Sequence, residues 1–100
     1  MSDTDRRYQD VVDRLAADLL SLSPSELLAR PEYGIVEREV NGEEVPVGFW
    51  HHAFDYGHHI YFKTSRRLWW FVSRSYINGV VFDEDSPPRL MTLAEAGDYD

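Results

Sequence analysis

Residues 45–82 read VPVGFWHHAFDYGHHIYFKTSRRLWWFVSRSYINGVVF, and the reading of this stretch decides the fold. It holds all five phenylalanines, all three tryptophans, all four histidines and three of the six tyrosines, with Asp55 as its one carboxylate. Aromatic and β-branched residues alternating with polar ones suit half-buried strands, so the segment predicts a sheet. Asn41-Gly42, just before it, tolerates positive φ at both positions and predicts a tight hairpin between residues 35–40 and 45–54. Pairing across that turn sets Val36 against Val47 and puts Val36, Val40 and Val45 on one face. Pro46 then falls opposite Glu37 at a non-hydrogen-bonded position, where its missing N–H costs strand one nothing.

Further along, Asp55-Tyr56-Gly57 predicts the next turn, with Ala53 beside Ile60 and His51 beside Phe62 so that one face stays apolar. The polar run Ser65-Arg66-Arg67 predicts a third turn, which brings Phe62 beside Trp70 and Ile60 beside Val72. A second Asn-Gly, Asn78-Gly79, predicts a hairpin between Ser73–Ile77 and Val80–Asp83. The expectation is a five-stranded antiparallel meander.

Upstream, Tyr8, Val11, Val12, Leu15, Leu19 and Leu22 recur at helical spacing among charged residues, predicting an amphipathic helix from about Asp3–Asp5. Ser23-Pro24-Ser25-Glu26 restarts a short helix, with Ser23 as cap, Pro24 at the first position and Glu26 as capping partner, and Pro31 ends it. Downstream, Ser86-Pro87-Pro88 is an extended stop, and Thr92-Leu93-Ala94-Glu95 reads as a capped turn of helix. The fold class is therefore α+β: an N-terminal helix and a short second helix packed on the meander, with a C-terminal strap. One hundred residues fit one domain, 1–100.

Charge divides the chain. Residues 1–44 carry eleven Asp/Glu against five Arg, and residues 83–100 carry six against one. These acidic flanks bracket a middle segment that is net positive, and the whole chain stands at −8. Such a balance disfavours nucleic acid and anionic membranes and favours a basic partner. Without cysteine there is neither a disulfide framework nor a thiolate metal site. The acidic start Met1-Ser-Asp-Thr-Asp does not read as a signal peptide, and no apolar run reaches membrane length, so the expected compartment is the cytoplasm.

Alternation sorts Phe49, His51, Ala53, Ile60, Phe62, Leu68, Trp70 and Val72 onto an inner face for the helix to cover. Trp50, His52, Phe54, His59, Tyr61, Lys63, Trp69, Phe71 and Ser73 fall on the outer face. Its five aromatics amount to roughly 750 Å², more than the roughly 300–600 Å² of an ordinary monomer's largest apolar patch. Three covers are open: an internal one, by the tail through Leu90, Met91, Leu93 and Tyr99 or by the short second helix; another protein, including a second copy in a homodimer; or a ligand or nucleic acid stacked on the rings.

Neighbouring histidines in a strand point to opposite faces, so His51-His52 and His58-His59 do not converge as one metal site; only His52 and His59 share the outer face. A third ligand would have to come from Asp83, Glu84 or Asp85, and neither a metal nor any other cofactor is expected. No catalytic residue is assigned, because no nucleophile motif or phosphate loop accompanies the histidines. Lys63, Arg66, Arg67 and Arg74 beside Tyr61, Trp69 and Trp70 resemble a single-strand-binding mixture, but four cations are a thin footprint. The leading expectation is a small acidic protein-interaction domain, an inhibitor or immunity-type protein neutralising a basic partner. Its contact residues would be Asp83, Glu84, Asp85, Trp50, Phe54, Tyr61, Trp69 and Phe71. The alternative is a ligand-binding or small enzymatic domain using His52 and His59.

Overall fold

Asn41 and Gly42 take φ of 53° and 83°, the left-handed pair that a two-residue hairpin turn requires. They join β1 (Tyr33–Val40) to β2 (Glu43–Phe54) in the expected register, Val36 opposite Val47 and Glu37 opposite Pro46. β3 (Gly57–Trp69), β4 (Val72–Phe82) and the two-residue β5 (Arg89–Leu90) follow in an antiparallel sheet ordered β1-β2-β3-β4-β5. The computed structural model describes residues 2–100.

Three helices complete the chain, α1 (Asp3–Leu19), α2 (Pro24–Leu28) and α3 (Leu93–Gly97), so the architecture is α+β as expected. Each begins with a capping box: Ser2 with Asp5, Ser23 with Glu26, Thr92 with Glu95. In each box the hydroxyl satisfies a backbone N–H that the first helical turn leaves unpaired, while the carboxylate reaches back to the cap. α1 lays Val12, Leu15 and Leu19 on the inner sheet face, where they meet Val47, Phe49, Ile60, Phe62, Tyr76, Val80 and Phe82, and Leu27 of α2 joins the same core.

The hairpins beyond β2 depart from the sequence expectation. Asp55-Tyr56 forms the β2–β3 turn, and His51 pairs with Ile60 and Ala53 with His58, two residues from the expected register. A shift of two leaves every side chain on its face, since strand alternation has period two. The next correction is larger. Ser65-Arg66-Arg67 is not a turn: β3 runs through it to Trp69, and Trp70-Phe71 make the reversal. Neither turn residue has positive φ; instead the register shifts between Arg67 and Trp69, an irregularity at Leu68 that re-aims the strand.

Asn78-Gly79 likewise does not turn. Both lie within β4, with Phe62 opposite Asn78 and Tyr61 opposite Gly79. Gly79 answers a different need there, because a Cβ would stand 2.2 Å from the Ile60 carbonyl oxygen and 2.6 Å from Tyr61 Cα. The fifth strand is accordingly Arg89–Leu90 rather than Val80–Asp83. Leu68, Trp70 and Val72, expected under the helix, are exposed near the end of a long β3–β4 hairpin.

Candidate functional site

The outer sheet face is partly closed by the tail, as one of the three covers required. Met91 N–H donates to the Gly79 carbonyl at 2.9 Å, anchoring the segment that leads into α3. Arg89 then grips Glu95 through two bonds of 2.8 and 2.9 Å, and this guanidinium holds the Glu95 carboxyl down at about 2. Beyond α3, Tyr99 stacks on Tyr61 with ring centroids 4.0 Å apart, while Trp50 stacks on Tyr61 at 5.2 Å. Lys63 Nζ donates to the Tyr99 carbonyl at 3.0 Å. Tyr61 is thus buried as plain core, and burial pushes the hydroxyls of Tyr61 and Tyr99 up.

Of the tail residues named for this cover, Met91 and Tyr99 serve it, whereas Leu90 is half exposed and Leu93 points into solvent. Phe54, at the far end of the same face, stays exposed.

His52 and His59 stand directly opposite each other on β2 and β3. His59 is 5 % exposed; its Nδ1 shares a hydrogen bond of 2.8 Å with the Tyr99 hydroxyl, and its Nε2 is buried without a partner among the described residues. Burial lowers its pKa, so the ring is held neutral. Phe54 packs at 4.6 Å on one side of this ring, and Tyr99 closes another. An imidazole so enclosed fills an aromatic core better than it serves as a base. His52 remains exposed, stacked beside Tyr61 and Tyr99.

The other two histidines meet as well, a contact that the expected register, with His51 beside Phe62, does not give. His51 Nε2 and His58 Nδ1 share a hydrogen bond of 2.9 Å on the inner face, packed against Phe82. Burial lowers the His51 pKa, and the neighbouring His58 adds to it. Among the described residues, no three His, Asp or Glu side chains converge where they could hold a metal ion.

The acidic candidates sit at the β2–β3 turn end of the sheet. Asp83, Glu84 and Asp85 follow β4 and, with Asp55, Tyr56 and His58, line a shallow polar recess. Asp83 accepts the Asp85 N–H at 2.8 Å, which orders the cluster.

Trp69 and Phe71 belong to a different place altogether, the opposite end of β3. Trp69, Trp70 and Phe71 are 66 %, 81 % and 75 % exposed and form an aromatic tip, their rings edge-on to one another. Three of the chain's ten cations, Arg66, Arg67 and Arg74, stand on the hairpin below this tip. Arg66 and Arg74 bind the buried Asp5 carboxylate at 2.8 and 2.7 Å, and Tyr76 donates to the same group. The Tyr76 hydroxyl foremost, then the Ser2 cap and the Arg74 charge, hold the Asp5 carboxyl well below the usual carboxylate range. The cluster pins the first turn of α1 to the hairpin stem and fixes where the tip projects. The thirteen residues of β3 separate tip from acidic end by roughly 40 Å at about 3.3 Å per residue, in keeping with a longest dimension of 43 Å.

The arrangement thus offers two surfaces, an acidic end and an arginine-backed aromatic tip, joined by a stiff sheet. Among the described residues, no helix is long and apolar enough to cross a membrane. Comparison with protein-family models, with curated proteins and with solved structures finds no match for this chain.

Proposed function

We propose that the protein is an interaction module that engages another protein by inserting the tip of its β3–β4 hairpin into an apolar pocket. The observation that carries this reading is the exposure of Trp69, Trp70 and Phe71 at a reversal. Turns ordinarily select Gly, Asn, Asp or Pro for conformational reasons, and none of those reasons calls for two tryptophans and a phenylalanine in a row. Three rings so exposed present on the order of 400 Å² of apolar surface. At about 25 cal/mol per Å², burying them would contribute about 10 kcal/mol, enough to survive the cost of association. Tryptophan and arginine are also the side chains that dominate protein interfaces, and Arg67 stands exposed beside the tip.

A second reading is favoured by the ordered Asp83-Glu84-Asp85 cluster: a basic partner docks at the acidic end, in the manner of an inhibitor or immunity-type protein. The two surfaces lie too far apart to share one small epitope.

One experiment separates them. The chain is used as bait with Trp69, Trp70 and Phe71 changed to Ser, and in parallel with Asp83, Glu84 and Asp85 changed to Lys. Loss of a stoichiometric partner in the first variant alone supports the tip. Loss in the second alone moves the contact to the acidic end.

A further inference from the structure

The two edges of the sheet are treated differently. On one side β5 is only Arg89–Leu90, preceded by Pro87-Pro88, a short edge of the kind that discourages pairing. On the other, β1 presents eight residues. Its even-numbered residues face β2: Val40 and Glu43 close the two-residue turn, and His51 N–H reaches the Glu32 carbonyl at 2.8 Å at the far end of the same ladder. The N–H and C=O groups of Tyr33, Ile35, Glu37 and Glu39 therefore point to the open side. Tyr33 and Ile35 are 72 % and 70 % exposed, although both are strand-forming apolar residues. Beside them, Pro46, Gly48 and Trp50 complete an apolar cleft of about 510 Å³ on the outer face. The Trp50 indole lies over Gly48, where a Cβ would come within 2.5 Å of the ring.

We propose that β1 pairs antiparallel with β1 of a second copy, about a twofold axis through Ile35, to give one continuous ten-stranded sheet. The register follows from the side chains. With the axis at Ile35, this residue meets its own counterpart on the outer face, Tyr33 lies opposite Glu37 of the second copy, and Arg38 lies opposite the second copy's Glu32 on the inner face. Directly opposed residues share a face, so Arg38 and Glu32 meet as opposite charges, once on each side of the axis. Neither makes an ion pair within its own chain among the described residues; Arg38 Nη1 instead donates to the Glu37 carbonyl at 2.7 Å. That carbonyl faces the open edge, and in the pair it accepts the Tyr33 N–H of the second copy while Arg38 turns to the carboxylate. An axis at Glu37 would oppose two like charges, and an axis at Val36 would set Ile35 against Glu37. The twofold symmetry makes the patch self-complementary, as an isologous dimer demands. It would also present two aromatic tips on one rigid sheet.

The test is the mass of the purified full chain by sedimentation equilibrium, with four variants. The expected result is a reversible dimer that becomes monomeric in Ile35→Lys and in Arg38→Glu, and is restored in the Glu32→Arg/Arg38→Glu double variant, all with unchanged melting of the monomer fold. Changing Trp70 to Ser should leave the dimer intact, which keeps this proposal separate from the tip. A wild-type chain that is monomeric at the highest concentration reached overturns the proposal. So does a dimer that survives Ile35→Lys, one that depends on Trp70, or a charge swap that fails to restore pairing. A monomeric chain that adds an extended peptide of another protein to β1 would also overturn it.

Discussion

The hydroxyl of Tyr99 meets Nδ1 of His59 at 2.8 Å across residues forty apart in sequence, and the same ring covers Tyr61 at a centroid distance of 4.0 Å. One side chain therefore latches the tail and completes the aromatic layer. Removing only its hydroxyl, in Tyr99→Phe, should cost about 1 kcal/mol because it leaves a second nitrogen of a buried imidazole unpaired. Removing the ring, in Tyr99→Ala, should cost about 2–3 kcal/mol, since the stacking contacts go as well. Urea denaturation measures both. Equal losses in the two variants would mean that the stack contributes nothing.

Acid should loosen the fold well before the carboxylates titrate. His51 and His59 both have folded-state values lowered by burial, so the folded chain binds fewer protons than the unfolded one just below the ordinary imidazole value. Their contribution is complete above about pH 6.5 and is lost as the pH falls through that region towards the lowered values. The melting temperature should drop between about pH 7.5 and pH 5.5, and His59→Gln should flatten that slope. A slope unchanged in both His59→Gln and His51→Gln would show that the two rings are not held neutral.

Much of the fold was legible because one physical signal acted alone at each place. The stripe Val12, Leu15, Leu19 named the covered helix face, and Asn41-Gly42 named its turn because nothing competed with positive φ. The β3–β4 hairpin was misread because local and tertiary signals conflict there. Arg66 looks like a residue of a solvated turn, yet it is a strand residue paired with Arg74, and both bind Asp5, a partner some sixty residues away that no local pattern reveals. Asn78-Gly79 looks like a turn, yet Gly79 is present because two backbones pass too closely for a side chain. Trp70-Phe71 carries no turn signal at all. Among the candidate contacts, alternation puts Tyr61 and Trp69 on one face, but the irregularity at Leu68 breaks the alternation so that Trp69 pairs with Val72, and alternation says nothing of distance along a strand. One is buried under the tail and the other stands at the tip.

Asp5→Asn should lower the melting temperature more than Asp3→Asn, although the two acids lie one helical half-turn apart. Asp5 is buried and binds Arg66, Arg74 and Tyr76, whereas Asp3 forms only an exposed pair with Arg7 at 3.8 Å. Exposed pairs of that kind contribute little. The Asp5 value is depressed on folding, so its contribution is present above about pH 3.9 and is lost as acid titrates the folded carboxyl below that. Thermal melts of the two variants at neutral pH check the ranking, and equal melting temperatures would refute the pinning of α1 to the hairpin stem.

Glycine-to-alanine changes should separate the two Asn-Gly dipeptides. At Gly42 the methyl group meets open space and the cost is backbone strain at φ 83°, about 1 kcal/mol. At Gly79 it strikes the Ile60 carbonyl and the Tyr61 backbone, so β3 and β4 must part, at a cost of about 3 kcal/mol or more. Reversed costs in denaturation would restore the turn reading at Asn78-Gly79.

The tip should be visible in the protein's own fluorescence. Trp69 and Trp70 stand in solvent, whereas Trp50 is half-buried between Gly48 and Tyr61. Acrylamide should therefore quench two emitting populations, a red-shifted accessible one and a blue-shifted protected one. Changing Trp69 and Trp70 together to Phe should abolish the accessible population and leave melting unchanged, because neither ring belongs to the core. In the Trp50→Phe chain all emission should be accessible. The same chain then reports on binding without a label: insertion of the tip into an apolar pocket must shift its emission to the blue and protect it from quencher. A partner that binds stoichiometrically while leaving both the emission maximum and the quenching constant of Trp50→Phe unchanged would show that the tip stays in water, and contact at the acidic end would then account for the complex.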